Sequence, residues 1–230
     1  IFCLQETLSF SAPLVSRETR LNIFEEIKTV FPAHQGFFFP TQDAIDGEGA
    51  ITIPAIYGQA IFVKKSLCVL KTDFIFTYRG RNSMKGNDFS TLGSGFGYVR
   101  LRLNKNPLTI VSIHGISEPG DKLDTPDRLL QSRKTQDFLV HTKGPKIVCG
   151  DFNLMPETES VKILEENMKN LIKEFKISET RGDISHKKFP KNQQHFADYV
   201  FISPEITALS FQVPNIPVSD HLPLILEFSL

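Results

Sequence analysis

The chain has no tryptophan and no net charge: 26 Lys and Arg offset 26 Asp and Glu. That balance excludes a composition-wide attraction to nucleic acid or to an anionic membrane, and leaves only local basic patches for such work. No stretch approaches 18 uninterrupted apolar residues, so no transmembrane helix is expected. Cysteine is scarce and odd in number. Cys3, Cys68 and Cys149 each lie in an apolar run, which reads as core packing in a reducing, cytoplasmic setting rather than a disulfide framework. Internal repeats, linkers and low-complexity segments are also missing. Residues 1–230 therefore read as a single domain, expected to be a monomer. The chain opens on Ile1, not Met, which leaves any targeting signal unread.

What is present is an ordinary globular composition on a length able to bury a sizeable core. Twenty phenylalanines are a bias with no functional reading. Ile1–Gln5 reads as a strand, and Arg17–Val30 as a helix with Leu21, Phe24, Ile27 and Val30 on its buried face. Gln59–Val63 and Leu67–Phe76 read as a hairpin. Tyr98–Leu103 and Leu108–His114 read as an antiparallel pair. Pro126–His141 is a helix capped by Thr125, with Pro in its first turn. Lys146–Cys149, Asp198–Ile202 and Leu222–Phe228 are strands, and Glu159–Asn170 is a helix. Strands outnumber helices, and the helices fall between strand groups. That order implies an α/β sandwich of two packed sheets with helices outside.

Chemistry-bearing residues gather at the ends of the apolar runs. Gly150-Asp151-Phe152-Asn153 follows Ile147-Val148-Cys149. A strand alternates its side chains, so Asp151 and Asn153 are expected to point the same way, toward one polar ligand. The plain alternative is an Asx-turn closing a βα loop. Leu4-Gln5-Glu6, His114, Phe196-Ala197-Asp198-Tyr199 and Ser219-Asp220-His221-Leu222-Pro223 stand at comparable positions.

Taken in order, these five motifs resemble the endonuclease/exonuclease/phosphatase superfamily, from Leu4 to Phe228. Its members include deoxyribonuclease I-like nucleases, abasic-site endonucleases, deadenylases, inositol polyphosphate 5-phosphatases and neutral sphingomyelinases. The resemblance implies a four-layered αββα sandwich of two mostly antiparallel sheets, and metal-dependent cleavage of a phosphate ester. It implies Mg²⁺, with Mn²⁺ as the substitute, held by Glu6 and Asp220, since hard cations take oxygen ligands. By the same resemblance Asp151 positions or deprotonates the attacking water, and Asn153 donates to a phosphoryl oxygen. His114 bonds the phosphate, and Asp198 fixes the tautomer of His221. The general base is Asp151 or His221, and the sequence leaves both open. Family members often carry Asn where this chain has Ser112, which puts orientation within the site in doubt. They also place a strand before the Leu4-Gln5-Glu6 strand. An N-terminal strand is therefore expected between Ile1–Gln5 and Leu222–Phe228, without which the chain should be poorly soluble and bind metal weakly.

Substrate is the open question: a phosphate ester, nucleic acid being the first choice, a phospholipid or inositol phosphate the second. A non-catalytic binding domain is the rival from another class, and the complete set of motifs argues against it. Lys122, Arg128 and Gln131 follow the His114 strand and are candidate substrate contacts, the plain alternative being exposed residues at a helix start; Arg181 is another candidate, because its fork suits phosphate. His186-Lys187-Lys188 with Lys191 reads as a solvated basic loop or a phosphate clamp. Gly93-Ser94-Gly95-Phe96-Gly97 imitates a phosphate loop, but lacks the strand-then-helix context and reads as a flexible hairpin loop. His34, His141 and His195 read as structural or surface residues.

Overall fold

A computed structural model describes residues 1–16, 19–103, 106–191 and 194–230. Two sheets lie face to face. The smaller has the order Phe2–Ser9, Ile56–Lys64, His34–Asp43 and is antiparallel throughout. The larger has six strands in the order Lys169–Asn170, Asp198–Ile202, Lys146–Asp151, Asn106–His114, Ser94–Leu103, Cys68–Tyr78. Only Asn106–His114 and Lys146–Asp151 run parallel in it, joined by the crossover helix Pro126–His141. Phe39, Ile61 and Val63 of the small sheet share one core with Val99, Leu101, Leu108 and Ile110 of the large one.

The outer layers follow from where aromatic residues fall. Helix Ile23–Val30 sets Phe24 against Phe38 and Phe62 on the outside of the small sheet, ring centroids 5.1 and 5.3 Å away. Helix Pro126–His141 sets Phe138 against Phe96 and Tyr98 on the outside of the large sheet. The result is the expected αββα order. The phenylalanine bias acquires a structural reason, because these rings fill both helix–sheet interfaces without a polar edge to satisfy.

Several expectations hold in detail. Pro126–His141 is a helix with those bounds, and the Thr125 side chain accepts from the Arg128 N–H. Asp198–Ile202 is a strand with those bounds. Others need correction. The first helix starts at Ile23, because Thr19–Arg20 pairs with Val15–Ser16 instead; Arg17 lies outside the described residues. The helix at Glu159 ends at Glu165, and Lys169–Asn170 pairs as a short strand. Ile56–Lys64 and Cys68–Tyr78 do not form a hairpin. Both edges of Ile56–Lys64 are taken by Phe2–Ser9 and His34–Asp43, so the next strand crosses to the other sheet. His34–Asp43 escaped the sequence reading because Gly36 and Pro40 interrupt it, Pro40 at an irregularity in the register. Cys68 is exposed rather than in the core, and all three cysteines are free thiols.

The segment Gly93–Gly97 is not a flexible loop. It opens the buried strand Ser94–Leu103. A Cβ on Gly97 would stand 2.4 Å from the Phe39 ring of the facing sheet, so glycine there permits the close approach of the two layers. Phe2–Ser9 has a ladder partner on one side only among the described residues, and the hairpin of Thr207–Gln212 with Ile225–Ser229 forms its own two-stranded sheet. The strands at the two ends of the chain are therefore not hydrogen-bonded neighbours.

Gly97→Ala is expected to destabilise the fold. Alanine gains about 0.4–1 kcal/mol by stiffening the unfolded chain, but overpacking a filled core costs about 1–3 kcal/mol. Urea denaturation should show a lowered midpoint; a raised one would contradict the tight sheet-to-sheet contact.

Candidate active site

Register brings the site together. His114 pairs with Asp151 across the parallel ladder, and Asp151 pairs with Asp198 across the next, antiparallel one. Three neighbouring strands thus end on one row, with His114, Asp151 and Asp198 all buried. His221 arrives from the C-terminal segment, bridged to Arg181. Its Nδ1 lies 2.8 Å from Asp198 Oδ2, which settles the tautomer by giving the Nδ1 proton an acceptor. Asp151 Oδ2 lies between two imidazoles, 3.8 Å from His221 Nε2 and 4.0 Å from His114 Nε2.

The facing sheet supplies Glu6. It sits in a bulge of Phe2–Ser9 with φ of 51°, a strained conformation for a non-glycine residue. The kink turns its side chain out to 59% exposure, with Oε1 3.6 Å from His114 Nε2. Tyr57 is buried in the neighbouring strand, and its hydroxyl pKa is pushed well up by burial and by the Glu6 carboxylate. Gln5 Nε2 donates to Ser112 Oγ at 2.9 Å, tying the two sheets together beneath the row. Ser112 therefore has a defined partner where the resemblance left orientation in doubt. Tyr57 was not singled out from the sequence, because it lies inside a strand run that resembles core, and Gln5 was quoted only as part of the Leu4-Gln5-Glu6 motif.

Asn153 is held from two sides. The buried Lys122 ammonium donates to its Oδ1, which fixes the amide orientation because lysine only donates. The Nδ2 group then faces Asp151 Oδ2 at 3.1 Å, while the Asn153 N–H donates to Asp151 Oδ1 at 2.8 Å. The second contact is the Asx-turn, so the plain alternative and the site coexist. Pleat alternation does not bring the pair together: the strand ends at Asp151, and Asn153 has φ of 53°. Its amide is spent on aiming Asp151 rather than free for a phosphoryl oxygen.

Charge is divided sharply. Burial disfavours ionised Asp151, but His221, Lys122 and His114 overcome it and hold the carboxyl below its usual range. Burial raises Asp198, with His221 opposing. Burial lowers Lys122. For His221, burial favours the neutral ring, yet Asp198 and Asp151 raise it to about 9. Arg181 opposes them, with Nη1 3.2 Å from His221 Nε2. Arginine only donates, so Nε2 accepts from it when the ring is neutral, and the two become facing donors with no acceptor between them when the ring is protonated.

Of the candidate substrate contacts, Arg128 is excluded. It is 1% exposed, and its guanidinium donates to the carbonyls of Ile116, Ser117, Pro119 and Leu123. It pins the loop after His114 instead. Gln131 is likewise buried, accepting from Ile116 N–H and donating to Thr77. Lys122 and Arg181 do lie in the site. Arg181 bonds Ser185 and Asp220 and turns Nη1 to His221. Asp220 is thus tied by one oxygen to Arg181 at 3.0 Å, and Ser219 Oγ lies 3.3 Å from the other.

Metal-ligating chemistry is available. Glu6 and Asp220 carry the hard oxygen donors a cation such as Mg²⁺ takes. Asp151, Asp198 and His221 each bring one ligand atom within 4.8 Å of the other two.

Comparison with known proteins gives one family and one fold. The sequence profile described as the Endonuclease/Exonuclease/phosphatase family matches residues 1–221. No curated protein matches the sequence. Among solved structures, a mannosyl-6-phosphatase of Bacteroides thetaiotaomicron is similar at TM-score 0.64 and 12% identity, over 90% of this chain and 81% of that one. The human Nocturnin catalytic domain with bound sulfate is similar at TM-score 0.62 and 19% identity, over 90% and 76%. D. rerio TDP2 complexed with single strand DNA product is similar at TM-score 0.62 and 15% identity, over 90% and 81%.

The raised His221 pKa has a stability consequence in metal-free protein. A raised folded pKa contributes stability that is complete below the unfolded value of 6.5 and lost as pH rises through about 9. The difference in urea midpoint between wild type and His221→Gln should therefore shrink across that window. NMR titration should place the His221 ring near 9, and Asp198→Asn should bring it down toward 6.5. A gap that widens with pH would contradict the assignment.

Proposed function

The chain belongs to the endonuclease/exonuclease/phosphatase family, and on that premise we propose that it is a divalent-metal-dependent phosphoesterase, in first place a phosphodiesterase of the nuclease kind. The observation that carries the reading is the ionised Asp151 carboxylate flanked by His221 and His114, with Arg181 facing His221. Opposite charges at one point suit a reaction in which water attacks an anion.

In this mechanism the water rests on Asp151, which Asn153 and Lys122 hold in place. Its oxygen bonds to phosphorus in line with the departing ester oxygen, the P–O ester bond breaks, and the water proton passes to Asp151. The His221 imidazolium and Arg181 Nη1 share a phosphoryl oxygen, which supplies the acceptor missing between them. His114 bonds a second oxygen. Asp198 keeps His221 charged, so Asp151 rather than His221 serves as base. A divalent cation held by Glu6 and Asp220, Mg²⁺ in the first instance, would polarise the phosphoryl oxygen when bound.

The surroundings bear on substrate. On the side of Ile116 runs a groove of about 540 Å³ lined in part by Asp88, Glu118 and Asp127. That lining repels a polyanion. On the side of Arg181, helix Asp183–Lys188 ends in His186, Lys187 and Lys188, with Lys191 exposed beyond it. A nucleic acid would leave the site more favourably over this basic side than over the acidic groove, in keeping with the phosphate-clamp reading of the cluster. The acidic groove favours a second reading, a small or lipid-borne phosphate ester. The similar structures named above span both kinds, one carrying single strand DNA product and one being a mannosyl-6-phosphatase.

Hydrolysis should stop in excess chelator and fall by roughly 10²–10⁴-fold in Asp151→Asn and in His221→Ala, the usual loss of a positioned acid or base. The assay is release of product from plasmid DNA, oligonucleotides, sphingomyelin and inositol phosphates. Full activity in either variant would sink the mechanism.

Salt separates the two substrate classes. Nucleic-acid affinity should drop steeply as salt rises, because each neutralised phosphate releases counterions. A flat response, read from KM against added KCl, would move the assignment to a small or lipid-borne ester.

A further inference from the structure

A second group of metal-ligating side chains lies behind Arg181. Glu179, His186 and His195 each bring one ligand atom within 4.8 Å of the other two. Glu179 Oε2 is 3.3 Å from His195 Nδ1. The His186 and His195 rings meet nearly edge to face, centroids 4.8 Å apart. His186 Nε2 is buried and has no hydrogen-bond partner among the described residues.

An ordinary surface ion pair accounts for Glu179 and His195 but leaves the buried His186 nitrogen without a purpose, and such atoms are costly. A metal ion accounts for all three. Zn²⁺ binds imidazole nitrogen and carboxylate oxygen at about 2.0–2.2 Å in a tetrahedral set, which places ligand atoms about 3.3–3.5 Å apart. The Glu179–His195 separation already meets that, and the others, at most 4.8 Å, need no more than about 1.5 Å of closure. Two imidazoles also select a transition ion over Mg²⁺, whose preference is oxygen.

We propose that Glu179, His186 and His195 form a zinc site, distinct from the Glu6–Asp220 pair, that braces the Thr180–Arg181 segment. The backbone shows what bracing would do. Thr180 and Arg181 N–H groups both donate to the His195 carbonyl, at 2.7 and 3.2 Å. Thr180 Oγ1 accepts from the N–H groups of Ala197 and Asp198, and its carbonyl accepts from Leu222. Thr180 thus joins the segments that carry Asp198 and His221, and its neighbour Arg181 faces His221. Zinc on either side of this knot holds the three in mutual register. The link to catalysis rests on the phosphoesterase reading; metal binding does not.

The test uses the full chain stripped of metal, held in excess Mg²⁺ and titrated with Zn²⁺ or Co²⁺. One equivalent should bind, and Co²⁺ should give the strong visible absorption of a tetrahedral centre. Asp151→Asn/His221→Gln should bind equally well. His186→Gln and His195→Gln should each weaken binding by at least the roughly 10–100-fold that loss of a mere supporting residue costs. His195 is half-exposed, so its variant should fold, as circular dichroism can verify. Zn²⁺ should also slow amide exchange at residues 180–182 in wild type and not in His195→Gln. Absence of a tetrahedral Co²⁺ spectrum, binding that survives both histidine variants, binding lost in Asp151→Asn/His221→Gln, or exchange unaffected by Zn²⁺ would each overturn the proposal. Loss of hydrolysis with zinc binding intact would instead count against the phosphoesterase reading alone.

Discussion

The row formed by His114, Asp151 and Asp198 rests on the pairing register of three adjacent strands, and everything else in the site is arranged around it. A slip of one residue in either ladder would turn one of the three into the opposite face. The register is secured from beneath. Val148 and Val111 pair deep in the core, and Phe152, just past its strand end, packs edge-on against Tyr199 and tilted against Phe201. Apolar packing therefore decides where the polar chemistry stands, at a rim where burial strengthens each charge effect.

Residues off that row reach it through strained backbone. Glu6, Lys122 and Asn153 have φ of 51°, 58° and 53°. Each such conformation costs of order 1–3 kcal/mol for a residue with a side chain. At Lys122 and Asn153 the cost is offset locally, by the hydrogen bonds that join Lys122 to Asn153 and Asn153 to Asp151. Fold stability is thereby traded for side-chain direction in a site that joins elements far apart in the chain.

The charges are arranged to oppose each other before any ligand arrives. Two carboxylates hold His221 protonated against Arg181, while His221 and Lys122 hold Asp151 ionised against its burial. Arg128 carries the same lesson in reverse. Its exposure in the sequence reading came from its place at a helix start, yet the loop folds over it and spends its guanidinium on backbone carbonyls. A positive charge near a phosphate site is a ligand for phosphate only if its donors remain unspent.

Most strands, the capped helix at Pro126 and the αββα layering were legible in the sequence, because each depends on local periodicity, turn chemistry or motif order. The strand-end motifs were legible for the same reason: a polar residue ending an apolar run stands out. The small sheet was not, since Gly36 and Pro40 hide one strand, and the partners of Ile56–Lys64 lie outside its own neighbourhood in the chain. Nor was the engagement of Asn153 by Lys122, of Glu6 by Tyr57, or the gathering of Glu179, His186 and His195. The sequence by itself determined which residue types were on hand for chemistry and on which runs they rode. Tertiary structure decided which of them meet, which are spent on the backbone and which charges they keep, because those outcomes depend on distances and burial between segments that no local pattern encodes.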